Sequence, residues 1–237
     1  MSGNGPFITA RNGPGALAWP VMEIRELADL PYAAALRPHE GGLSADEEYD
    51  SEHFDQLAFD DVIATNARFM ECALTQVSFQ AGKLRRARFT DVWLRDVRLM
   101  MTNLAETSWQ DVTFASAVIA GAEAFGAQLR KVTFRGCKLD SVNLRDAVLT
   151  DVTFDNCLLR DVDFGGATLR RTVFTSSRLD QADFSRVTLD HVDLRGAELG
   201  ITISPDSLRG AIITTAQLMA VAPLLAETLG ITIADAG

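Results

Sequence analysis

Residues 111–155 read, in groups of five, DVTFA SAVIA GAEAF GAQLR KVTFR GCKLD SVNLR DAVLT DVTFD. The fourth position of each group is apolar, large in all but GAEAF, and the second is small. Extended in both directions, the same frame runs without insertion or deletion from Phe54 to Leu199. It contains thirty groups; the large position, here called the centre, is Leu or Phe in 26 of them, with Ala64, Trp109, Ile119 and Ala124 as exceptions. Two residues before the centre, 27 of thirty are Ala, Val, Cys, Thr or Ser; Glu52, Leu57 and Gly82 break the rule.

A period of five matches neither the 3.6 residues of a helix nor the two of a simple strand. Within each group, the centre and the residue two before it share a face, as in a strand. The chain must then turn before the pattern restarts. A solenoid of short strands and corners satisfies both demands. The blocks Asp111-Val112-Thr113-Phe114, Lys131-Val132-Thr133-Phe134 and Asp151-Val152-Thr153-Phe154 recur every twenty residues, so four groups make one coil with four sides. Thirty groups then make 7.5 coils, a rod roughly 36 Å long at about 4.8 Å per coil. Phe114, Phe134, Phe154 and Phe174 should stack as one column of rings. The groups centred on Ala64 and Ala124 fill the interior least, lie on the same side, and could mark a bend or bulge.

The pattern [Ala/Val/Thr/Ser]-x-[Leu/Phe]-x-x, as in Ala182-Asp183-Phe184-Ser185-Arg186, resembles that of the pentapeptide-repeat family. The resemblance implies an all-β solenoid, a right-handed quadrilateral β-helix. Three segments are expected: residues 1–51, an N-terminal cap and acidic linker; 52–201, the β-helix; and 202–237, a C-terminal loop and helical segment. Residues 20–36 suggest one or two short helices over the first coil. Asp46-Glu47-Glu48-Tyr49-Asp50 reads as a solvated acidic spacer. Ile201 to Ile213 leaves the repeat register. Thr214 and Thr215 are helix-cap residues; Pro223 should break or kink the helix, and Gly230 should end it. Leu218, Val221, Leu225 and Leu229 fall on one helix face, which either caps the last coil or pairs with a second copy. Because some members of the family dimerise through C-terminal helices, the resemblance favours a homodimer.

The 237 residues carry a formal net charge of −10. It divides as −5 over residues 1–51, −3 over 52–201 and −2 over 202–237. The rod is therefore nearly balanced, and its four sides sum to −2, −2, 0 and +1. No apolar run is long enough to cross a membrane, and the N-terminus does not look like a secretory signal. Three cysteines without a C-x-x-C argue against a disulfide framework, and a cytoplasmic location is expected. Cys137 and Cys157, twenty apart, should stack inward as core thiols.

No cofactor or metal motif is present, and the histidines, His39, His53 and His191, are far apart in sequence. The expectation is a protein that binds rather than catalyses. One outward column reads Glu71, Asp91, Asp111, Lys131, Asp151, Arg171, His191, a partial acidic stripe. Trp93, Met100, Met101 and Phe125 occupy outward positions, as a partner surface or under the N-terminal segment. Lys83, Arg85, Arg86 and Arg88 form one basic cluster, and Arg130, Lys131, Arg135 and Lys138 another. Direct nucleic-acid binding is disfavoured by the overall charge. The family includes bacterial members that bind DNA gyrase and topoisomerase IV and protect them from quinolones or peptide toxins. The resemblance therefore implies such a partner, reached through DNA mimicry; the alternative is a scaffold for some other cytoplasmic protein.

Overall fold

The computed structural model describes residues 26–204 and 206–234. The chain falls into two units, residues 1–34 and 35–237. In the first, Leu27–Asp29 forms one turn of 3-10 helix, closed by a hydrogen bond from Glu26 N–H to Asp29 Oδ2 at 2.9 Å. A second such turn, Ala33–Ala35, follows. The part of the expected N-terminal helical region before residue 26 lies outside the described residues.

The second unit is a solenoid of parallel strands in about eight turns, followed by one helix. Its register is fixed at twenty residues: Arg68 pairs with Arg88, Phe114 with Phe134, Leu149 with Leu169. Two of the four sides join into one sheet through the long strands Ser108–Ala115 and Gln128–Arg135. A third side, from Ala58–Asp60 to Ala197–Thr202, makes a separate eight-stranded sheet. The fourth side, through Ala64, Leu84 and Leu104, has only isolated bridges such as Ile63 to Lys83. There the chain turns by a bond from the N–H three residues on, as in Ala87 N–H to Leu84 O at 3.0 Å. Asn103, Asn143, Asp163 and Asp183 reinforce these turns, each side-chain oxygen accepting the N–H two residues ahead.

The corner between sides has a conformation that residue type alone does not announce. Every fifth residue from Asp46 to His191, two after the centre, has φ between 47° and 73°, and only four of these thirty are glycine, at 121, 126, 136 and 166. A left-handed conformation costs roughly 1–2 kcal/mol for a residue with a Cβ. Burial of each Leu or Phe centre returns about 1.5–3 kcal/mol, so the bend is sustained wherever a centre is filled. The bend also aims the corner N–H along the solenoid axis. It donates to the carbonyl nineteen residues later, from Asp46 to Thr65 (2.9 Å) through Arg171 to Asp190 (2.8 Å).

Inside, Phe114, Phe134, Phe154 and Phe174 stack with centroids 4.8, 4.9 and 4.8 Å apart, as expected. A second column, Tyr49, Phe69, Phe89 and Trp109, stacks on the neighbouring side at 4.9, 4.8 and 3.8 Å. The reading of Asp46–Asp50 as a solvated spacer is thereby corrected. Glu48–Asp50 is a strand paired with Arg68–Met70, and Tyr49 is buried. Four acids around one aromatic residue masked a centre whose ring continues the column. Upstream, Arg37–Pro38 pairs with Glu52 and His53, and the His39 ring stacks on Phe54 at 4.2 Å. At the other end, the register drops by one residue between Asp180 and Ala182, so Val192 pairs with Ala211. Ile201 and Ile203 remain buried, so the coil persists beyond Leu199 with a shortened turn.

The inward position two before the centre accepts Cys, Ser and Thr because backbone carbonyls point at it. The Cys72, Cys137 and Cys157 thiols and the Ser177 hydroxyl each donate to the carbonyl two residues back and to the one 23 back, at 2.9–3.5 Å. All three cysteines are buried. Burial pushes the Cys72 thiol up to about 11. Contact with the Cys157 sulfur, then burial, pushes Cys137 well above the ordinary thiol range. The small centre Ala124 leaves an apolar cavity of about 30 Å³, bounded by Leu104, Trp109, Leu129 and Leu144 among others.

Two stability predictions follow from corner and cavity. Ala81, at φ 53°, is a corner residue, so Ala81→Gly should stabilise by about 0.5–1 kcal/mol, while Asp61→Val at the next lower coil should destabilise by about 1–2 kcal/mol. Ala124→Val should fill the cavity and add about 1 kcal/mol, by the usual cost per unit of cavity volume. Urea unfolding midpoints measure both. An unchanged or lowered midpoint for Ala124→Val would show that the wall cannot accommodate the added methyl groups.

Candidate partner-binding surfaces

Side chains on the solenoid exterior repeat every twenty residues, so each outward column places groups on adjacent coils about 4.8 Å apart. That spacing suits ion pairs between residues i and i+20. Arg171 holds Asp151 with both ends of its guanidinium, at 2.6 and 2.8 Å. Lys131 lies 3.4 Å from Asp111, Arg135 3.5 Å from Asp155, Arg160 3.5 Å from Asp140, and Arg68 3.4 Å from Glu48. Exposed pairs of this kind contribute about 0–1 kcal/mol each, so their main consequence is to the electrostatic surface.

The expected acidic stripe is dismantled by these pairs. Glu71, Asp91, Asp111 and Asp151 do share one corner column, all with left-handed backbone. Yet Asp111 and Asp151 are neutralised by Lys131 and Arg171 within that column. Of the four acids in this column, Glu71 and Asp91 make no ion pair with another described residue. Burial, then the charge of Asp111, raises the Asp91 carboxyl above its ordinary range. The hydrogen bonds from Arg171 hold Asp151 below it.

The basic clusters are partly paired and divided between sides. Arg85 pairs with Glu106, and Arg86 Nε donates to Asn66 Oδ1 at 3.0 Å. Sequence neighbours such as Lys83 and Arg88 fall on different sides of the coil, because each side takes only five residues.

Of the outward apolar residues, Trp93 takes the buried alternative and offers no partner surface. It is 2% exposed, between Ala73 and Thr113 in its ladder, and its Nε1 has no hydrogen-bond partner. Large apolar area is withdrawn from water wherever packing allows, so an outward register position alone does not make a surface. Met100 is half-buried. Met101 is 62% exposed and lies over Gly121, while Phe125 is 40% exposed. Ile63, at 54%, and Val148, at 38%, are further exposed apolar groups on the solenoid.

The C-terminal helix spans Thr215–Thr228 and is continuous through Pro223. The Thr214 hydroxyl accepts from Gln217 N–H, and the Gln217 side chain accepts from Thr214 N–H. Gln217 Nε2 also donates to the Leu194 and Ala197 carbonyls, at 2.6 and 2.7 Å, closing the last turn. Of the expected face, Val221 is buried and Leu225 packs on the core. Leu224 joins them, whereas Leu218 and Leu229 are exposed. The packed face is rotated away from the expected one because Gln217, which must reach the coil, sets the helix orientation. Beyond the helix, Ile231 and Ile233 are also exposed. Among the described residues, no group of three or more His, Cys, Asp or Glu is placed to hold a metal ion. No helix there is long and apolar enough to cross a membrane.

The family model of the pentapeptide repeat region matches residues 107–184. Residues 107–184 of the solenoid are a pentapeptide repeat region. Comparison with curated proteins finds no match. Among solved structures, a trypsin-treated variant of QnrB1, a plasmid-mediated fluoroquinolone resistance protein, is 19% identical. That match covers 84% of this chain and 96% of QnrB1, with a TM-score of 0.49. HetL, a pentapeptide-repeat protein involved in heterocyst differentiation regulation in the cyanobacterium Nostoc, is 20% identical. It is matched over 77% of this chain and 87% of its own, with a TM-score of 0.46. A pentapeptide-repeat protein of the Arabidopsis thaliana thylakoid lumen is 25% identical over 39% of this chain and 64% of its own, with a TM-score of 0.37. The pentapeptide solenoid accounts for the period of five and for the twenty-residue coil.

The paired corner column predicts a linked titration. Arg171→Gln should raise the Asp151 carboxyl back toward the ordinary Asp range near 3.9. Asp151 is held low in the fold, so its contribution to stability is present above the unfolded-state value and is lost as pH falls through the folded one. The variant should therefore lose stability at pH 7 but show a shallower loss between pH 5 and pH 3. Carboxyl NMR titration of both chains decides it: an unmoved Asp151 would mean the guanidinium contact is not formed in solution.

Proposed function

We propose that this solenoid is a non-catalytic protein-binding scaffold, acting in the cytoplasm as a homodimer. The observation that supports this reading most is where apolar surface is left. Met101 and Phe125 on the solenoid, and Leu218, Met219 and Leu229 on the helix, are 40–71% exposed. The helix carries one charged residue, Glu227. A helix apolar on all sides belongs in an interface, and a second copy related by a twofold axis supplies one.

The family resemblance makes DNA gyrase or topoisomerase IV the candidate partner. Mimicry of DNA by a carboxylate-lined rod needs unpaired acids, and the Asp111 and Asp151 pairs count against that mode. Binding through the apolar groups is favoured instead. In a gyrase supercoiling assay with and without a quinolone, micromolar protein should inhibit or protect. Met101→Asp with Phe125→Asp should weaken that effect at least tenfold, while Asp91→Asn with Asp111→Asn leaves it unchanged. Absence of inhibition, protection and association would remove the topoisomerase reading; sensitivity to the Asp substitutions alone would restore mimicry.

A further inference from the structure

The sequence Gly200-Ile201-Thr202-Ile203 recurs as Gly230-Ile231-Thr232-Ile233 directly after the helix. The first copy is built into the coil stack. It continues the strand Ala197–Thr202, pairs in parallel with Ala182 and Asp183, and buries Ile201 and Ile203. The second copy forms no strand, and Ile231 and Ile233 are 57% and 65% exposed. The same four residues are thus packed in one place and left without a lattice in the other.

A vacant lattice position lies nearby. Ala197–Thr202 is the last strand of its eight-stranded sheet and pairs on one side only among the described residues. Leu199 to Thr202 of this strand, with Asp180 and Gln181 of its paired neighbour, form one wall of a groove of about 450 Å³, and Ala220, Val221 and Leu224 of the helix form the other. An unpaired parallel edge beside an apolar wall is the receptor geometry for strand addition, in which main-chain bonds give affinity and alternate side chains give register. Open edges of this kind are ordinarily covered or blocked.

The chain's own tail is poorly placed to enter. Gly230, at φ +70°, donates to Glu227 O, and Ile231 N–H donates to Ala226 O at 2.8 Å. These bonds fix the exit at the end of the helix, whereas the groove opens against Ala220–Leu224, further back along it. A second copy has no such restraint. Beside the tail, each copy also exposes Leu218, Met219 and Leu229. Together with Ile231 and Ile233 these amount to roughly 500–600 Å² of apolar surface per copy, most of the ~800 Å² per partner that a standard interface buries. A twofold axis makes every copy both donor and receptor, so the assembly closes at two.

We infer that the chain dimerises by reciprocal strand exchange, with Gly230–Ile233 of each copy lying parallel to the Gly200–Ile203 edge of the other. This rests on the homodimer reading above and specifies its contact. The test uses full-length chains carrying Thr202→Cys or Thr232→Cys, both exposed positions; the native cysteines are buried. Mixed and mildly oxidised, the two variants should give a covalent dimer joined 202 to 232, and either alone should give none. Ile231→Asp with Ile233→Asp should convert the dimer to monomer by light scattering, with an unchanged far-ultraviolet spectrum. A wild-type dimer that yields no 202–232 link would overturn strand exchange while leaving helix-face pairing intact. A wild-type monomer would overturn both. A 202–232 link formed within single monomeric chains carrying both cysteines would place the tail in its own groove and overturn the exchange.

Discussion

The left-handed corner residue governs this molecule. At thirty successive corners the backbone takes φ near +50° to +70°, which bends the chain and turns the corner N–H toward the next coil. The bond it makes, to the carbonyl nineteen residues on, sets the coil at twenty residues. Centre side chains then stand above one another, rings stack near 4.8 Å, and outer charges meet their partners at i+20. One extra or missing residue moves all of these at once. The shortened turn after Asp180 shows it: from there the pairing offset is nineteen, and the regular stack gives way to the terminal loop and helix.

The interior and exterior respond differently to that constraint. Inside, a column position demands volume, so Ala124 leaves a cavity, while Tyr49 and Trp109 fit without disturbing the stack. Backbone carbonyls receive the polar atoms of Cys137, Cys157 and Ser177, and the Thr107 hydroxyl receives Trp109 Nε1. Outside, nothing demands volume, and charge chemistry takes over. Several acids and bases one coil apart pair, as Asp111 does with Lys131 and Asp151 with Arg171. The functional weight shifts from carboxylates to the apolar groups that no pair can satisfy, at Met101, Phe125 and the helix.

The ends of the stack carry a different problem from its middle. A solenoid's last turn has backbone groups with no next coil. Gln217 answers part of it by donating to two terminal carbonyls. At the opposite end of the same unit, the His39 ring lies on Phe54, with Nδ1 2.6 Å from Glu52 Oε2. The Ala197–Thr202 edge remains open, which is why the repeated Gly-Ile-Thr-Ile after the helix matters.

The period of five from Phe54 to Leu199 determined by itself the coil length, the buried positions and the Phe114–Phe174 column, because burial imposes a strict one-dimensional pattern. It extended neither to Tyr49, where surrounding acids hid the centre, nor past Leu199, where one residue drops out. The corner conformation was barely legible, since Asp, Arg, Gln and Met all occupy it. The surface was decided by tertiary structure alone. Whether Asp111 and Asp151 present charge depends on which residue lies one coil away and how its side chain reaches. Whether Trp93 or Leu218 meets water depends on what packs over it. Burial repeats along the chain and can be read from it; pairing and exposure are set across coils, between residues whose contact exists only once the chain has wound.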